Sequence, residues 1–369
     1  MFEGQKTYKG VGFMKLAPLV LGDLVAKIPI IQGGMGVGVS LSNLASAVAN
    51  EGGIGVISGV QIGFREPDFL TNTLEANERA LAKEIRRSRE LSPKGIIGVN
   101  FLVAMNNYKE LVAVAVKEKI DLIISGVGLP MELPKMTKGT ETKIAPIVSS
   151  GRAASLIAKM WDRRYQVAPD MVIVEGPKAG GHLGFSKEEL KKNPLPDLKE
   201  ILVDVINALK PFCEKYKKDI PVVAAGGIYT GKDIAEYIKL GAAGVQMATR
   251  FVTTEECDAD IEFKMAYIHA KEDDITIINS PVGMPGRAIY NEFVKKLEVS
   301  NIAIKRCYGC IKTCHPATSP YCISKALIDA VMGNVKEGLI FTGTNAYMSD
   351  KIVKVKDLMQ ELVAQAEAL

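Results

Sequence analysis

Pro221-Val-Val-Ala-Ala-Gly-Gly227, a helical stretch from Gly231 to Leu240, and Gly244-Val-Gln-Met-Ala248 follow one another in the chain. Both apolar runs are short and uncharged, which is how a strand buried on both faces reads. Glycine ends the first run where the chain turns, and the helix carries it back to a parallel neighbour. The same unit recurs upstream. Ile28–Gln32, Ile54–Ile57, Ile96–Phe101, Leu122–Ile124, Lys143–Val148 and Met171–Val174 are further strand candidates. Helices are predicted over Leu44–Ala49, Thr73–Leu91, Tyr108–Lys119 and Gly151–Tyr165, with Ser40 or Ser42 placed to cap the first. Eight β-then-α units predict an α/β fold of the (β/α)8 TIM-barrel class. An open doubly wound sheet is the rival. It loses ground because Gly33, Gly34, Gly36 and Gly38 lack the dinucleotide-binding spacing.

After residue 257 the pattern breaks. Asp258–Lys271 and Val353–Ala368 read as helices, and Pro281 and Pro285 punctuate a mixed stretch between them. The chain therefore divides into a barrel over 1–257 and a mainly helical region over 258–369, expected to cover the barrel mouth.

The 369 residues are 47% hydrophobic and 24% charged with a net charge of +4, a globular composition that makes no case for nucleic acid. The opening Met-Phe-Glu-Gly-Gln-Lys-Thr-Tyr-Lys has no apolar core like a signal peptide's, and no run is long enough to span a bilayer. A cytoplasmic protein with no membrane partner is expected, and a homodimer is compatible with the sequence. Six cysteines without a secretion signal argue for reduced thiols or metal ligands.

Barrel active sites sit at the C-terminal ends of the strands. Those ends carry Gly33, Gly34 and Met35; Asn100; Ser125 and Gly126; Ser149 and Ser150; Glu175; Gly226 and Gly227; and Gln246, Met247, Ala248 and Thr249. The set is polar and glycine-dense, with few acids and little metal-ligand character. Backbone N–H groups of Gly226-Gly227 and Ala248-Thr249 would converge between strands seven and eight, where barrels commonly hold a phosphate. Beyond Glu175, the glycines Gly180 and Gly181 let the chain approach a ligand closely and deliver His182, one of three histidines. His269 and His315 are expected to be structural or exposed.

Several segments together carry a resemblance. Pro29-Ile-Ile-Gln-Gly-Gly-Met35, Gly98-Val-Asn100, Glu175-Gly-Pro-Lys-Ala-Gly-Gly-His182, Pro221–Ile228 and Gly244–Phe251 occur in order, with Gly286-Arg-Ala-Ile289 beyond them. They resemble the nitronate monooxygenase and flavin-dependent enoyl-ACP reductase family over about residues 25–290. The resemblance implies FMN, its phosphate near Gly226, Gly227 and the Gln246–Thr249 loop, and its ring near Gly33, Gly34 and Met35. It implies that Asn100 bonds the pyrimidine side, that Glu175, Gly180 and Gly181 complete the pocket, and that His182 is catalytic. Two positions depart from the monooxygenases: Glu175 stands where Gln is usual, as in the enoyl reductases, and Ala248 where Gly is usual. Nitronate monooxygenase is the expected activity. The rivals are an NAD(P)H-dependent enoyl thioester reductase and an NAD(P)H:quinone or flavin reductase. A non-catalytic barrel binding a phosphorylated ligand would leave His182 and Asn100 without a role.

Cys307, Cys310, Cys314 and Cys322 form a C-x2-C-x3-C-x7-C arrangement whose first spacings would suit zinc or an iron–sulfur cluster. The family chemistry needs only flavin, so free thiols without a metal are expected.

Overall fold

The computed structural model describes residues 15–192 and 194–369, so the reading of the first nine residues lies outside the described residues. Strands β1 (Ile30–Gln32), β2 (Ile54–Ser58), β3 (Ile96–Leu102), β4 (Leu122–Gly126), β5 (Lys143–Val148), β6 (Val172–Glu175), β7 (Val222–Ala225) and β8 (Gly244–Met247) form a closed barrel in chain order. Every pairing is parallel, and the barrel closes with Val245 of β8 opposite Ile30 of β1.

The alternation of side chains explains why these strands are apolar throughout. Ile31, Val56, Ile124, Ile173 and Val223 join one buried cluster that also holds Leu19 and Leu21. Their neighbours Ile30, Ile57, Ile123, Val174 and Val222 join another, together with the apolar faces of the surrounding helices. Successive residues face opposite sides of a strand, and in a barrel both sides are core. A hairpin of Leu19–Leu21 and Leu24–Ala26 stops the end where the strands begin. A Cβ on Gly244, the first residue of β8, would lie 3.4 Å from Leu19 Cδ2.

The helices Thr73–Leu91 and Gly151–Tyr165 match the sequence reading to the residue. The first helix, Ser42–Asn50, forms where expected but is not capped by Ser40 or Ser42. Asp258 accepts from Leu41 N at 2.7 Å and Leu44 N at 3.2 Å, so the cap comes from the far end of the barrel. Ser40 Oγ instead accepts from Met35 N at 2.8 Å and shapes the loop after β1. Helix Leu198–Tyr216 is not among the helices expected from the sequence, and it forms with Pro211, an ordinary helix breaker, in its interior. Asp197 caps its start and its buried Leu202, Val205 and Leu209 hold it on the barrel despite the missing N–H.

Residues 258–369 do not form one helical cover. Helix Val355–Glu367 packs against Gly231–Lys239 and Ser42–Asn50, filling the eighth place in the ring of barrel helices. A Cβ on Gly231 would meet the Leu362 carbonyl oxygen at 2.3 Å, which shows how closely the two helices pack. Nor is the mixed stretch irregular: β9 (Ile275–Asn279) and β10 (Pro285–Ile289) form an antiparallel pair. The segment Gly181–His182 adds to β10 as a third strand, so the histidine loop is stitched to this region by its backbone.

The cysteine segment sits in that region, tied to the loop after β3 by Asn106 N to Cys310 O at 3.0 Å and Lys312 N to Ala104 O at 2.9 Å. Cys307 is exposed, and Cys310, Cys314 and Cys322 are half-buried free thiols. Among the described residues no three His, Cys, Asp or Glu side chains are grouped to hold a metal ion. No described helix is long and apolar enough to cross a membrane.

Candidate active site

At the C-terminal ends of the strands lies a cavity of about 360 Å³. Every residue to which the resemblance gives a role lines it, from Gly33, Gly34 and Met35 through Asn100 and Glu175 to the Gln246–Thr249 loop, whereas the strand-end residues Ser125 and Ser150 do not. His269 and His315 lie elsewhere and are exposed. The glycines keep the cavity open. A Cβ on Gly34 would stand 2.5 Å from Asn100 Cβ, and one on Gly180 would stand 2.5 Å from the carbonyl carbon of Thr342. Gly226 and Gly227 turn the chain after β7 with φ of 96° and 82°, a region that side chains disfavour. Gly33 N donates to Met247 O at 2.8 Å, drawing the ends of β1 and β8 together.

Two polar atoms in this wall have no hydrogen-bond partner among the described residues. Gln246 Oε1 and Ser58 Oγ are both buried and unbonded. An orphaned buried acceptor costs about 1–3 kcal/mol, so such atoms at a cavity mark where a ligand's donors belong.

His182 stands on the strand added to β10, with its ring 5.0 Å from that of Phe341 in an edge-on contact. Its Nε2 lies 2.7 Å from Ser280 Oγ. Burial pushes its pKa down to about 4, so the imidazole is neutral at neutral pH. Arg287, on β10, is 5% exposed and donates from Nη1 to Pro177 O at 2.8 Å and to Ala179 O. It grips the backbone just before Gly180, Gly181 and His182. Burial lowers its pKa to about 10, against the pull of Glu175.

Burial pushes the Glu175 carboxyl up to about 8 from 4.5, with Arg287 acting in the opposite sense. Glu175 is therefore a neutral acid at pH 7. A group that holds its proton more tightly when folded adds stability that is full below the unfolded pKa and lost as pH rises through the folded one. The melting temperature of flavin-free protein should accordingly decline between about pH 4.5 and 8. Glu175→Gln should flatten that decline; equal slopes for the two proteins would show that the carboxyl is not so perturbed.

Ser280, Arg287, Phe341 and Lys178 belong to this site but were not read from the sequence as functional. Arg287 had a signal: an arginine within the apolar run of β10, in a segment already matching the family. Ser280 had none, because a serine before Pro281 reads only as a turn.

The nitronate monooxygenase family model matches residues 19–365. The chain belongs to this family. A probable nitronate monooxygenase of Staphylococcus saprophyticus is 31% identical over 301 residues, covering 77% of this chain and 81% of that one. The (3aS,4S,5R,7aS)-5-hydroxy-7a-methyl-1-oxo-octahydro-1H-indene-4-carboxyl-CoA dehydrogenase of Mycobacterium tuberculosis is 25% identical and covers 92% of each chain. Among solved structures, FabK from Thermotoga maritima superposes with a TM-score of 0.70 at 25% identity, over 92% of this chain and 93% of its own. The barrel class expected from the sequence is the class observed, and the chain is a flavin-dependent oxidoreductase of this family.

Proposed function

We propose that the protein is an FMN-dependent nitronate monooxygenase that oxidises alkyl nitronates with O2. The observation that carries this reading is the position of His182 in the wall of a cavity lined by apolar side chains. A nitronate is already deprotonated at carbon, so it needs a hydrogen-bond donor for its oxygens and no strong acid or base. An uncharged imidazole meets that need. Val60, Leu102, Leu129, Met284 and Leu339 line the same cavity and suit an alkyl chain. Glu175, neutral at pH 7, adds no negative charge to repel the anion.

The residues present fit FMN. Gly226, Gly227, Ala248 and Thr249 offer backbone N–H groups to its phosphate, and Gln246 Oε1 offers its unused acceptor to a ring N–H. Gly33, Gly34 and Met35 would bear the ring, Asn100 its pyrimidine edge, and Glu175, Gly180, Gly181 and Met247 the remaining wall. When bound, FMN supplies two-electron redox chemistry and reactivity with O2. His182 then orients the substrate.

Glu175 favours one second reading. A neutral carboxylic acid in the cavity could protonate the α-carbon of an enoyl thioester reduced at the expense of NAD(P)H. Anaerobic mixing of the yellow protein separately with a nitronate, NADH and NADPH decides between them. Bleaching by the nitronate alone is expected, and acid-released cofactor should run as FMN. Bleaching by a nicotinamide and not by nitronate would select the reductase.

A further inference from the structure

We propose that Ser280 is a positioning residue that sets the tautomer of His182, holding the imidazole proton on Nδ1 so that the ring can present an N–H to the cavity. Ser280 is buried at the end of β9, and its Oγ lies 2.7 Å from His182 Nε2. The polarity of that bond follows from what surrounds the hydroxyl. Ser280 Oγ accepts from Val282 N at 3.3 Å, so one lone pair is engaged. The Tyr321 hydroxyl commits its proton to Asn279 O at 3.3 Å, and the hydrogen-bond partners of Ser280 Oγ among the described residues are Val282 N and His182 Nε2. Serine has a single proton to give, and Nε2 is the closest acceptor. Ser280 therefore donates, Nε2 accepts, and the proton of the neutral ring belongs on Nδ1.

The hydroxyl is held in place by the region beyond the barrel. Tyr321 is buried beside it, with its ring edge-on to Phe293 at 5.3 Å. It immediately precedes Cys322, so the cysteine segment contributes a side chain that braces the histidine's partner. The use of the Nδ1 proton to bond a nitronate oxygen rests on the proposed function; the tautomer assignment does not.

The test is 15N NMR of flavin-loaded protein labelled at histidine. With three histidines in the chain, the His182 signals are assigned by their loss in His182→Ala. Wild type should show a protonated Nδ1 and an unprotonated Nε2. Ser280→Ala should show both tautomers and turn over about 10- to 100-fold more slowly, the range seen when the partner that orients a metal-ligating histidine is lost. Its flavin content should be unchanged, and Ser280→Thr, which keeps the hydroxyl, should restore most of the rate. A proton on Nε2 in wild type, or an unaltered tautomer in Ser280→Ala, overturns the proposal. A protein with the expected tautomer that leaves nitronates unoxidised would sink the proposed activity and leave this assignment standing.

Discussion

His182→Ala is expected to lower turnover by about 10²- to 10⁴-fold, the range for removing a group that handles a proton at the reacting centre. Flavin content and melting temperature should stay near those of wild type. The reason lies in what the side chain touches. Among the described residues its polar contact is the single bond to Ser280, and its ring leans on Phe341 at the cavity edge. The backbone of the loop is fixed independently, by the pairing of Gly181 with Arg287 and His182 with Gly286. Removing the imidazole therefore empties the cavity wall without releasing the loop. His182→Gln refines the measurement. It restores a neutral donor but not the geometry of a ring, so it should recover part of the rate with a nitronate. Wild-type turnover in His182→Ala would remove the histidine from the mechanism and leave the flavin site untouched.

The barrel was legible because its signals are local. Runs such as Pro221–Ala225 and Gly244–Met247 are apolar on both faces, and each ends on residues that must turn or approach a ligand. The wall of the cavity was legible for the same reason, since strand ends in a barrel converge whatever their separation in sequence. What could not be read depends on contacts between distant segments. Asp258 caps a helix more than two hundred residues before it, and Val355–Glu367 returns to complete the ring. Pro211 argues locally against a helix that tertiary burial sustains. Ser280 and His182 meet across 98 residues because β10 draws the histidine loop to itself, and no periodicity announces that pairing.

Arg287→Met is expected to be the more damaging substitution for the folded protein, costing about 3 kcal/mol or more and most of the bound flavin. A hydrogen bond from a charged group contributes about 1.5–3 kcal/mol, and a buried carbonyl left unpaired costs about 1–3 kcal/mol. Arg287 serves two such carbonyls, Pro177 and Ala179, from a position 5% exposed to solvent. Those carbonyls belong to the loop that also holds Gly180, where no side chain fits against Thr342, so a released loop would lose both its grip and its packing. The charge itself matters less. Without Arg287 the neighbouring Glu175 simply keeps its proton to a higher pH, since burial already holds it neutral to about pH 8. The loss of stability should thus be nearly independent of pH below that value, and adding Glu175→Gln should not rescue it. Denaturant midpoints for the two single variants and the double variant, measured at pH 6 and pH 9, test this directly. A rescue by Glu175→Gln at pH 6 would mean that the ion pair, and not the grip on the loop, is what Arg287 provides.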